Sequence, residues 1–370
     1  MRHTPPSART RSRRDTGAGT WRGGIRRAIR VCSRPGPWKR GPVLAAAALL
    51  LGLLLLLHAQ ITDRGGLGSL VETFLPWFGL FIPVLLIGAL WRRSASAVAA
   101  LLLPAVMWLH FFGGLLGDKS RPGSDLTVAE QNVNADNPDP AGTARGLAAS
   151  GADVLALVEL TPEATGTYEK VLAKAYPYHT VQGTVGLWSK LPLSDTRPVD
   201  IKTDYGPLAD TKPVDIKTDY GPLADTKPVD IKLAYARALR TTVATDRGPL
   251  TVYVAHLGSV RLMPRNGYWT VSRDRGAQAL GEAIAADPSK RVVLLGDLNG
   301  TMDDRAFAGI TSQMHSAQDA AGNGFGFTWP ARFPVVRIDQ ILVRGVEPES
   351  SWVLPATGGD HLPVAAGISW

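Results

Sequence analysis

An uncharged run of 20 residues near the start of the chain constrains the fold more than any other sequence feature. Residues 42–61 read PVLAAAALLLGLLLLLHAQI, and a helix of about 20 apolar residues crosses the hydrocarbon core of a bilayer. Two further apolar stretches follow at 70–91 and 95–117. We therefore predict three transmembrane helices within residues 42–117. A cleaved signal peptide is the alternative for the first stretch, but the two later stretches argue against it.

The distribution of charge around these stretches predicts their orientation. Residues 1–40 contain twelve basic residues and a single acid, Asp15, which gives this segment a net charge of +11. Arg92 and Arg93 lie between the second and third stretches, and cytoplasmic loops of membrane proteins are enriched in such cations. We expect residues 1–41 to form a disordered cytoplasmic tail and the chain after residue 117 to lie outside the cell. The protein would then be a multi-pass protein of the cell membrane.

The composition argues against several classes of protein. Hydrophobic residues make up 45% of the chain and charged residues 19%, which is too apolar for a disordered protein. A single cysteine, Cys32, excludes a disulfide framework and a cysteine-rich zinc site. The net charge of the whole chain is +8, but residues 121–370 sum to −4, which is not typical of a nucleic-acid-binding surface. We therefore expect no nucleic-acid partner, and the sequence indicates no protein partner.

The chain after the apolar stretches alternates strand-like and helix-like patterns. Residues 118–126 (DKSRPGSDL) form a polar linker, which reaches roughly 30 Å when fully extended and would keep the following domain close to the membrane. Strands are predicted at 126–133, 153–158, 251–255, 291–295, 335–343 and 362–366, and a helix at 141–150. Strands that alternate with helices predict an α/β fold over residues 127–370.

A 15-residue tandem repeat over residues 195–232 interrupts this pattern. The sequence DTRPVDIKTDYGPLA (195–209) is followed by DTKPVDIKTDYGPLA (210–224) and by the partial copy DTKPVDIK (225–232). Solenoid repeats are longer and need about three copies to bury a core. We favour a duplication tolerated in a surface loop over a recognition loop.

Polar side chains suited to catalysis lie at the ends of the predicted strands or within them. They are Asn132, Asn134, Glu159, His256, Asp297, Asn299, Asp339, Asp360 and His361. Any one of them could be an ordinary turn residue. Several such groups presented by one rigid scaffold are what an active site requires.

The order of the motifs that contain these residues is informative. The series NVN, VEL, HL, GDLN, RID and GDHLPV resembles the endonuclease/exonuclease/phosphatase superfamily over residues 121–370, interrupted by the repeat. The resemblance implies a four-layer α/β sandwich, in which helices flank two packed mixed β-sheets. With three predicted spans ahead of this domain, the chain is similar to the VanJ-type membrane phosphatases of actinobacteria, which are linked to teicoplanin resistance. Val158 and Gln340 stand where the superfamily often has Gln and His, so we expect the substrate pocket to differ in detail.

Hydrolysis of a phosphate ester requires a hard cation, a positioned water molecule and stabilisation of the charge on the phosphoryl oxygens. Mg²⁺ prefers oxygen ligands, with Mn²⁺ as the alternative cation. Glu159 and Asn132 are the first candidate ligands, as the resemblance also implies, and Asp360 is either a second acidic group near the metal or a turn residue. Asn134 is assigned to substrate binding. Arg273 is either a phosphate clamp or part of a solvated helix face.

The remaining polar residues are assigned to the reaction itself. Asp297 would orient or deprotonate the attacking water, and Asn299 would hydrogen-bond a phosphoryl oxygen. His256 would donate to the phosphate or to the leaving oxygen. His361 is either the general base or a phosphate contact, and the resemblance implies that Asp339 fixes its tautomer.

Three hypotheses about function follow. The first is a membrane-anchored, extracytoplasmic, Mg²⁺-dependent phosphoesterase that acts on a lipid phosphate or pyrophosphate such as undecaprenyl pyrophosphate, with a role in glycopeptide resistance. The second is an extracytoplasmic nuclease or other phosphodiesterase on the same scaffold, which the net charge of −4 disfavours, although a bound metal would change the local charge. The third is a binding or sensor protein without activity, which is the least favoured because every main catalytic position is filled.

Overall fold

The computed structural model of the chain describes Met1 and residues 36–201, 236–264 and 267–370. The predictions for the basic tail, for Cys32 and for residues 202–232 of the repeat lie outside this part of the chain. The chain divides into two compact units, which consist of Met1–Gly52 with Leu80–Ala105 and of Leu53–Gly79 with Val106–Trp370.

Residues 36–117 form five α-helices joined by short 3₁₀ turns. These helices are α1 (Pro42–Leu57), α2 (Leu67–Thr73), α3 (Phe81–Trp91), α4 (Ala95–Ala100) and α5 (Leu102–Phe112). In the smaller unit the helices pack through small residues, since Ala48, Ala89 and Ala97 are all buried in one cluster. Ser94 begins α4 as its N-cap and accepts a hydrogen bond from the backbone N of Ala97 at 3.2 Å.

Two helical stretches of the described chain, Pro42–Gln60 and Ala95–Leu116, are long and apolar enough to cross a membrane. The stretch predicted at 70–91 is not one straight helix, because Arg64–Thr73 and Leu75–Trp91 meet at an angle of 65°. Pro76 lies just after this break, and a proline disfavours the helical conformation of the residue before it. The described chain therefore has two continuous candidate spans, or three if the bent pair counts as one.

Five further α-helices lie in the described part of the larger unit. They are α6 (Pro140–Ala149), α7 (Pro162–Leu172), α8 (Val271–Ala286), α9 (Ala308–Thr311) and α10 (Ala317–Ala321). The start of α6 follows from its sequence, because Asp139 accepts a hydrogen bond from Gly142 N at 2.8 Å and proline takes the first helical position. Thr161 caps α7 in the same way through Ala164 N, at 3.2 Å.

The strands in the described residues of the larger unit form two six-stranded sheets and a small hairpin. In chain order they are β1 (Leu126–Asn132), β2 (Val154–Val158), β3 (Tyr178–Gln182), β4 (Val185–Ser189), β5 (Leu193–Pro198), β6 (Ala238–Thr245), β7 (Gly248–Ala255), β8 (Arg261–Met263), β9 (Gly267–Trp269), β10 (Val292–Asp297), β11 (His315–Ser316), β12 (Asp339–Arg344), β13 (Glu347–Val353) and β14 (Val364–Ser369). The first sheet has the order β13-β14-β1-β2-β4-β3 and the second the order β11-β12-β10-β7-β6-β5. Both sheets are mixed, since β1 with β2 and β7 with β10 run parallel while their outer neighbours run antiparallel.

The two sheets pack face to face, and helices cover their outer faces. Along β10, Val293 and Leu295 point into the core between the sheets, whereas Val292 and Leu294 pack with α8. Because both faces of these strands are buried, their sequences are continuous apolar runs. This α/β sandwich of two mixed sheets with flanking helices confirms the predicted fold class of this part of the chain.

The six strands predicted from the sequence are all present, with bounds that differ by a few residues. The largest difference is at 335–343, where the strand begins only at Asp339. The segment predicted as a polar linker lies along the larger unit: the backbone N of Lys119 donates to Gly322 O and that of Arg121 to Glu349 O, at 3.3 and 2.6 Å. These hydrogen bonds hold the linker against the domain.

Candidate active site

One edge of the sandwich collects polar side chains from both sheets. Asn132 ends β1 and Glu159 follows β2, while His256 follows β7 and Asp297 ends β10. Because β1 with β2 and β7 with β10 are parallel pairs, their carboxyl ends meet at the same edge. Asp339 reaches this edge from the other direction, since it opens the antiparallel strand β12 and pairs with Asp297 in register.

The backbone turns sharply where these strands end. The φ angles of Glu159, Asn299 and Asn134 are 63°, 52° and 61°, in the left-handed backbone region that residues other than glycine rarely occupy. Gly296, with φ 152°, has no room for a side chain, because a Cβ atom there would lie 1.8 Å from Ala255 O. Unfavourable backbone angles of this kind concentrate at functional sites.

Asp297 is the centre of the hydrogen bonds at this edge. Its Oδ2 accepts from Asn132 Nδ2 at 3.0 Å and from Asn299 Nδ2 at 3.3 Å, and its Oδ1 accepts from the backbone N of Asn299 at 2.8 Å. The Nε2 atom of His256 lies 3.6 Å from Asp297 Oδ2 and 3.7 Å from Glu159 Oε1. These contacts join residues from both sheets into one cluster.

His361 and Asp339 form a buried pair beside this cluster. The Nδ1 atom of His361 lies 2.9 and 3.0 Å from the two carboxylate oxygens of Asp339. A carboxylate only accepts hydrogen bonds, so Nδ1 carries the proton and Nε2 faces Asp297, whose Oδ2 is 3.9 Å away. Burial lowers the pKa of His361, but the charge of Asp339 and its hydrogen bond outweigh this effect and raise that pKa to about 9.

The other buried groups of the site are shifted toward their neutral forms. Burial and the neighbouring charge of Asp339 raise the pKa of Asp297 to about 7. Burial also lowers the pKa of His256 well below its ordinary value, and its Nε2 has no hydrogen-bond partner within the described residues. Beneath them lies Glu130, whose two carboxyl oxygens lack a partner in the described chain. Burial and then the charges of Asp339 and Asp297 raise the pKa of Glu130 well above its usual range.

Most of the polar groups of the site line a cleft of about 440 Å³, whereas Glu130 and Asp339 are not part of its lining. The polar lining consists of Asn132, Glu159, His256, Asp297, Asn299, Asp360 and His361, with Thr73 and Ser259. The remaining lining is apolar and aromatic, and consists of Leu70, Phe74, Val260, Leu262, Tyr268, Trp329, Val336 and Ile338. A volume of this size is typical of a site for a small molecule or for the reactive end of a larger one.

Eight of the ten residues selected from the sequence lie in this cluster, and two do not. Asn134 sits beside it, where its backbone N donates to Asn132 Oδ1 at 3.0 Å and its side chain accepts from Asp136 N. Arg273 is fully buried and does not itself line the cleft, although its Nη1 donates to the backbone O of Asn299 at 3.5 Å. Its guanidinium contacts Asp304 at 2.8 Å and Asp274 at 2.7 Å. The assignment of Arg273 as a phosphate clamp or as a solvated residue is therefore corrected, because its charge is already paired inside the protein.

The residues that line the cleft suit a hard divalent cation. Glu159, Asn132 and Asp297 offer carboxylate and amide oxygens, which are the ligand atoms that Mg²⁺ and Mn²⁺ prefer. One ligand atom each from Asp297, Asp339 and His361 also lies within 4.8 Å of the others. The unpartnered Nε2 of His256 between two carboxylates indicates that further groups belong in this space. The donor set thus fits a divalent metal ion held by oxygen ligands.

A two-sheet α/β sandwich with carboxylates, amides and imidazoles at one edge defines the architecture of a class of metal-dependent phosphoester hydrolases. The chain belongs to the Endonuclease/Exonuclease/phosphatase family, whose model matches residues 129–361. Enzymes of this family are phosphoester hydrolases that generally depend on a divalent metal. This match confirms the family that the sequence motifs indicated.

Several solved structures are similar to this chain in fold. Humanised D. rerio TDP2 carrying 14 mutations has 19% identity and a TM-score of 0.50, over 66% of this chain and 99% of that chain. An endonuclease/exonuclease/phosphatase from Bacteroides vulgatus has 16% identity and a TM-score of 0.48, over 67% and 99%. The mannosyl-6-phosphatase Bt3783 of Bacteroides thetaiotaomicron has 15% identity and a TM-score of 0.47, over 66% and 100%. At these identities the likeness concerns the fold alone, and no curated protein matched the chain.

Two parts of the site were not predicted from the sequence. Glu130 lies within β1, and its signal was a lone acid in an apolar strand. Leu70, Thr73 and Phe74 line the cleft although they precede the family domain by more than fifty residues. No local signal could have placed them there, because their position depends on tertiary contacts of α2.

Proposed function

We propose that the protein is a membrane-anchored, extracytoplasmic, divalent-metal-dependent phosphoesterase that hydrolyses a lipid phosphate or pyrophosphate, such as undecaprenyl pyrophosphate. The observation that carries this proposal is the composition of the cleft. Its lining has two parts, which are the polar residues of a phosphoester hydrolase and eight apolar and aromatic side chains. A substrate with a charged head and an apolar chain matches both parts.

The polar residues of the cleft lining suggest a division of roles. Glu159 and Asn132 would hold the cation, with Asp360 at the exposed rim of the cleft. When bound, the cation would polarise the phosphoryl group and neutralise its charge. Asp297, oriented by its hydrogen bonds with Asn132 and Asn299, would accept the proton of the attacking water.

The two histidines and Asn299 would act on the phosphoryl oxygens. His361 is held by Asp339 through Nδ1, so its Nε2 is presented to the phosphoryl group. His256 would contact the leaving oxygen or the phosphate through the unpartnered Nε2. Asn299 Nδ2 lies next to Asp297 and could turn toward a phosphoryl oxygen when substrate is bound.

The apolar helices support the membrane location. Pro42–Gln60 and Ala95–Leu116 are long and apolar enough to cross a bilayer, and the basic residues before the first of them favour a cytoplasmic N-terminus. An alkaline phosphatase fusion after residue 120 should then be active, and one after Arg93 inactive. The opposite pattern would invert the topology.

A paired assay tests the activity. Purified full-length protein should release phosphate from undecaprenyl pyrophosphate with Mg²⁺ or Mn²⁺, and lose this activity in EDTA. Plasmid nicking measured alongside separates the nuclease hypothesis, since nicking without release of lipid phosphate would replace the lipid substrate by nucleic acid. Activity that survives both EDTA and His361→Ala would refute the mechanism.

The proposed role in teicoplanin resistance predicts that expression in a susceptible host raises the inhibitory concentration of teicoplanin, and that His361→Ala abolishes the rise.

A further inference from the structure

Helix α2 supplies one wall of the cleft, although it precedes the family domain in the chain. Leu70, Thr73 and Phe74 line the same space as Glu159 and Asp297. The family match begins at residue 129, so this wall lies outside the matched region. The cleft of this chain is therefore completed by the segment that follows its first apolar helix.

Specific contacts fix α2 on the larger unit. Glu72 is 1% exposed and accepts hydrogen bonds from Arg305 Nη2 at 2.7 Å and from the backbone N of Arg305 at 3.1 Å. Ser69 Oγ donates to Asp304 Oδ2 at 2.6 Å and accepts from Arg273 Nη2 at 2.7 Å. The hydrogen bonds of Ser69 and Glu72 fix which face of α2 packs on the rest of the larger unit, and they leave Leu70 and Phe74 at the cleft.

Both ends of α2 are also restrained. Before the helix, Gly66 lies so close to Tyr268 that a Cβ atom would approach Tyr268 O to 1.7 Å. After it, the indole Nε1 of Trp77 donates to Val335 O at 2.8 Å, and its ring stacks on Phe327 with 5.6 Å between centroids. The wall is thus a fixed part of the site.

The cleft has exposed apolar side chains that the binding of a small soluble phosphate ester would not require. Phe74 is 37% exposed and Leu262, on the β8–β9 hairpin, is 81% exposed. Burying such side chains against an apolar ligand stabilises the complex, because apolar area is removed from water. The cleft therefore has apolar surface available next to the groups that would act on a phosphate.

The position of α2 in the chain identifies the source of an apolar ligand. Seven residues lead from Gln60, the end of a candidate span, to Leu67, and such a segment reaches at most about 25 Å. The last residues of both candidate spans, 53–60 and 106–116, also belong to the compact unit that contains the cleft. The cleft is therefore tied closely to the ends of helices that can cross a bilayer, where lipid chains are concentrated.

We propose that Leu70 of α2 and Phe74, the C-cap residue that follows α2, bind the part of a lipid chain that adjoins the phosphate, together with Leu262, and thereby set a preference for lipid phosphates over short-chain phosphates. This inference rests on the proposed function and adds a specificity-determining wall that the family domain does not contain. It assigns a substrate role to the segment between the first and second apolar stretches.

The test compares two substrates that share a head group. Full-length protein in detergent micelles would be assayed for phosphate release from undecaprenyl pyrophosphate and from isopentenyl pyrophosphate, which carries a single isoprene unit. For Leu70→Gln and for Phe74→Gln we expect the ratio of the two kcat/KM values, long over short, to fall about tenfold, which corresponds to about 1.4 kcal/mol of lost apolar contact. Leu67→Gln is the matched control, because Leu67 lies on the same helix, is 51% exposed and does not line the cleft.

The outcomes separate this inference from the proposed function. A long-to-short ratio that falls for the two cleft variants and not for Leu67→Gln supports the wall. Wild-type protein that hydrolyses the lipid substrate, with an unchanged ratio in Leu70→Gln and Phe74→Gln, overturns the wall and leaves the proposed function standing. Wild-type protein that releases phosphate only from the short substrate overturns both. Melting temperatures of all variants in the same detergent identify a general loss of folding, and a variant that melts with the wild type but loses both activities equally also overturns the wall.

Discussion

Arg305 links helix α2 to the loop that follows Asp297 and carries Asn299, and its replacement tests whether this link holds the site together. Its guanidinium and backbone N donate to Glu72, and Nη1 also donates to Ile61 O at 2.6 Å. In Arg305→Ala the Glu72 carboxylate, 1% exposed, would keep the backbone N of residue 305 but lose the opposite charge. Breaking a buried ion pair by removing one partner costs about 3–5 kcal/mol. Arg305 itself is 32% exposed, so we expect a value near the lower end, about 3 kcal/mol.

This loss can be measured by thermal unfolding of the full-length protein in detergent. For a domain of this size, about 1 kcal/mol corresponds to a change in Tm of roughly 2–4 °C, so Arg305→Ala should lower Tm by about 6–12 °C. The paired variant Glu72→Leu with Arg305→Met should recover most of this loss, because replacing both members of a buried pair by apolar groups is often neutral. Arg121→Ala is the control, since Arg121 pairs with Glu349 at the surface and is 63% exposed.

Two results would refute the reasoning. If Arg305→Ala melts within about 2 °C of Arg121→Ala, which is the scale of a surface ion pair, then Glu72 and Arg305 do not form the buried link described above. If the paired variant melts as low as Arg305→Ala, the loss does not arise from an unpaired buried charge. The rate of hydrolysis of a short phosphate ester would be measured on the same samples. If the link also positions the loop, this rate should be lower in Arg305→Ala than in the wild type.

Three further predictions concern other parts of the larger unit. Asp339→Asn should lower kcat by about 10²–10⁴-fold with little change in Tm, because His361 loses the charge that orients it. The control Asp319→Asn, at an exposed ion pair with Arg337, should leave kcat near wild type. Equal effects of the two variants on kcat would contradict the role of Asp339. Burial raises the pKa of Asp287, but hydrogen bonds from Arg240, Ser289 and Tyr253 outweigh it and hold that pKa below its ordinary value, so its contribution to stability is present at neutral pH and lost as the pH falls below about 4. The difference in Tm between wild type and Asp287→Asn should therefore shrink between neutral and acidic pH, and a constant difference would show that the charge is irrelevant. Deletion of residues 195–224 should leave a folded, active protein. The remaining DTKPVDIK would then follow Leu193 and Ser194 and restore the sequence of β5, with Lys in place of Arg197. Loss of all hydrolytic activity would show that the repeat is required.

The central strands could be predicted because burial on both faces requires continuous apolar sequence. The run VVLLGD of β10 and the run VLALV of β2 have this pattern, and the structure places both in the middle of a sheet. The edge strand β3 has the sequence YHTVQ and is exposed or half-buried, so it lacks an apolar signal. Its pairing with β4 depends on the tertiary fold more than on its own sequence.

The site residues at strand ends were accessible to the same reasoning, whereas those held by distant partners were not. Asn132, Glu159 and Asp297 stand where an apolar strand gives way to a polar residue, and this local signal was sufficient. Arg273 has the sequence context of a surface helix. Its burial comes from Asp304 and from Ser69, which lies 204 positions earlier in the chain, so no local pattern could reveal it.

The contacts of α2 tie residues that precede the predicted catalytic domain to the loop of the site. The sequence predicts the catalytic domain at residues 127–370, and in the structure Leu53–Gly79 belongs to the same compact unit as Val106–Trp370. Within this unit Ser69 and Glu72 are each 1% exposed and satisfy Arg273 and Arg305. A chain that began at residue 127 would lack these partners. Arg273 would keep Asp274 and Asp304 but lose Ser69, and Arg305 would lose the carboxylate of Glu72. Since Asp304 and Arg305 continue the loop that starts at Asp297, the cost of that change would fall on the active-site loop itself, so α2 is a structural part of the site.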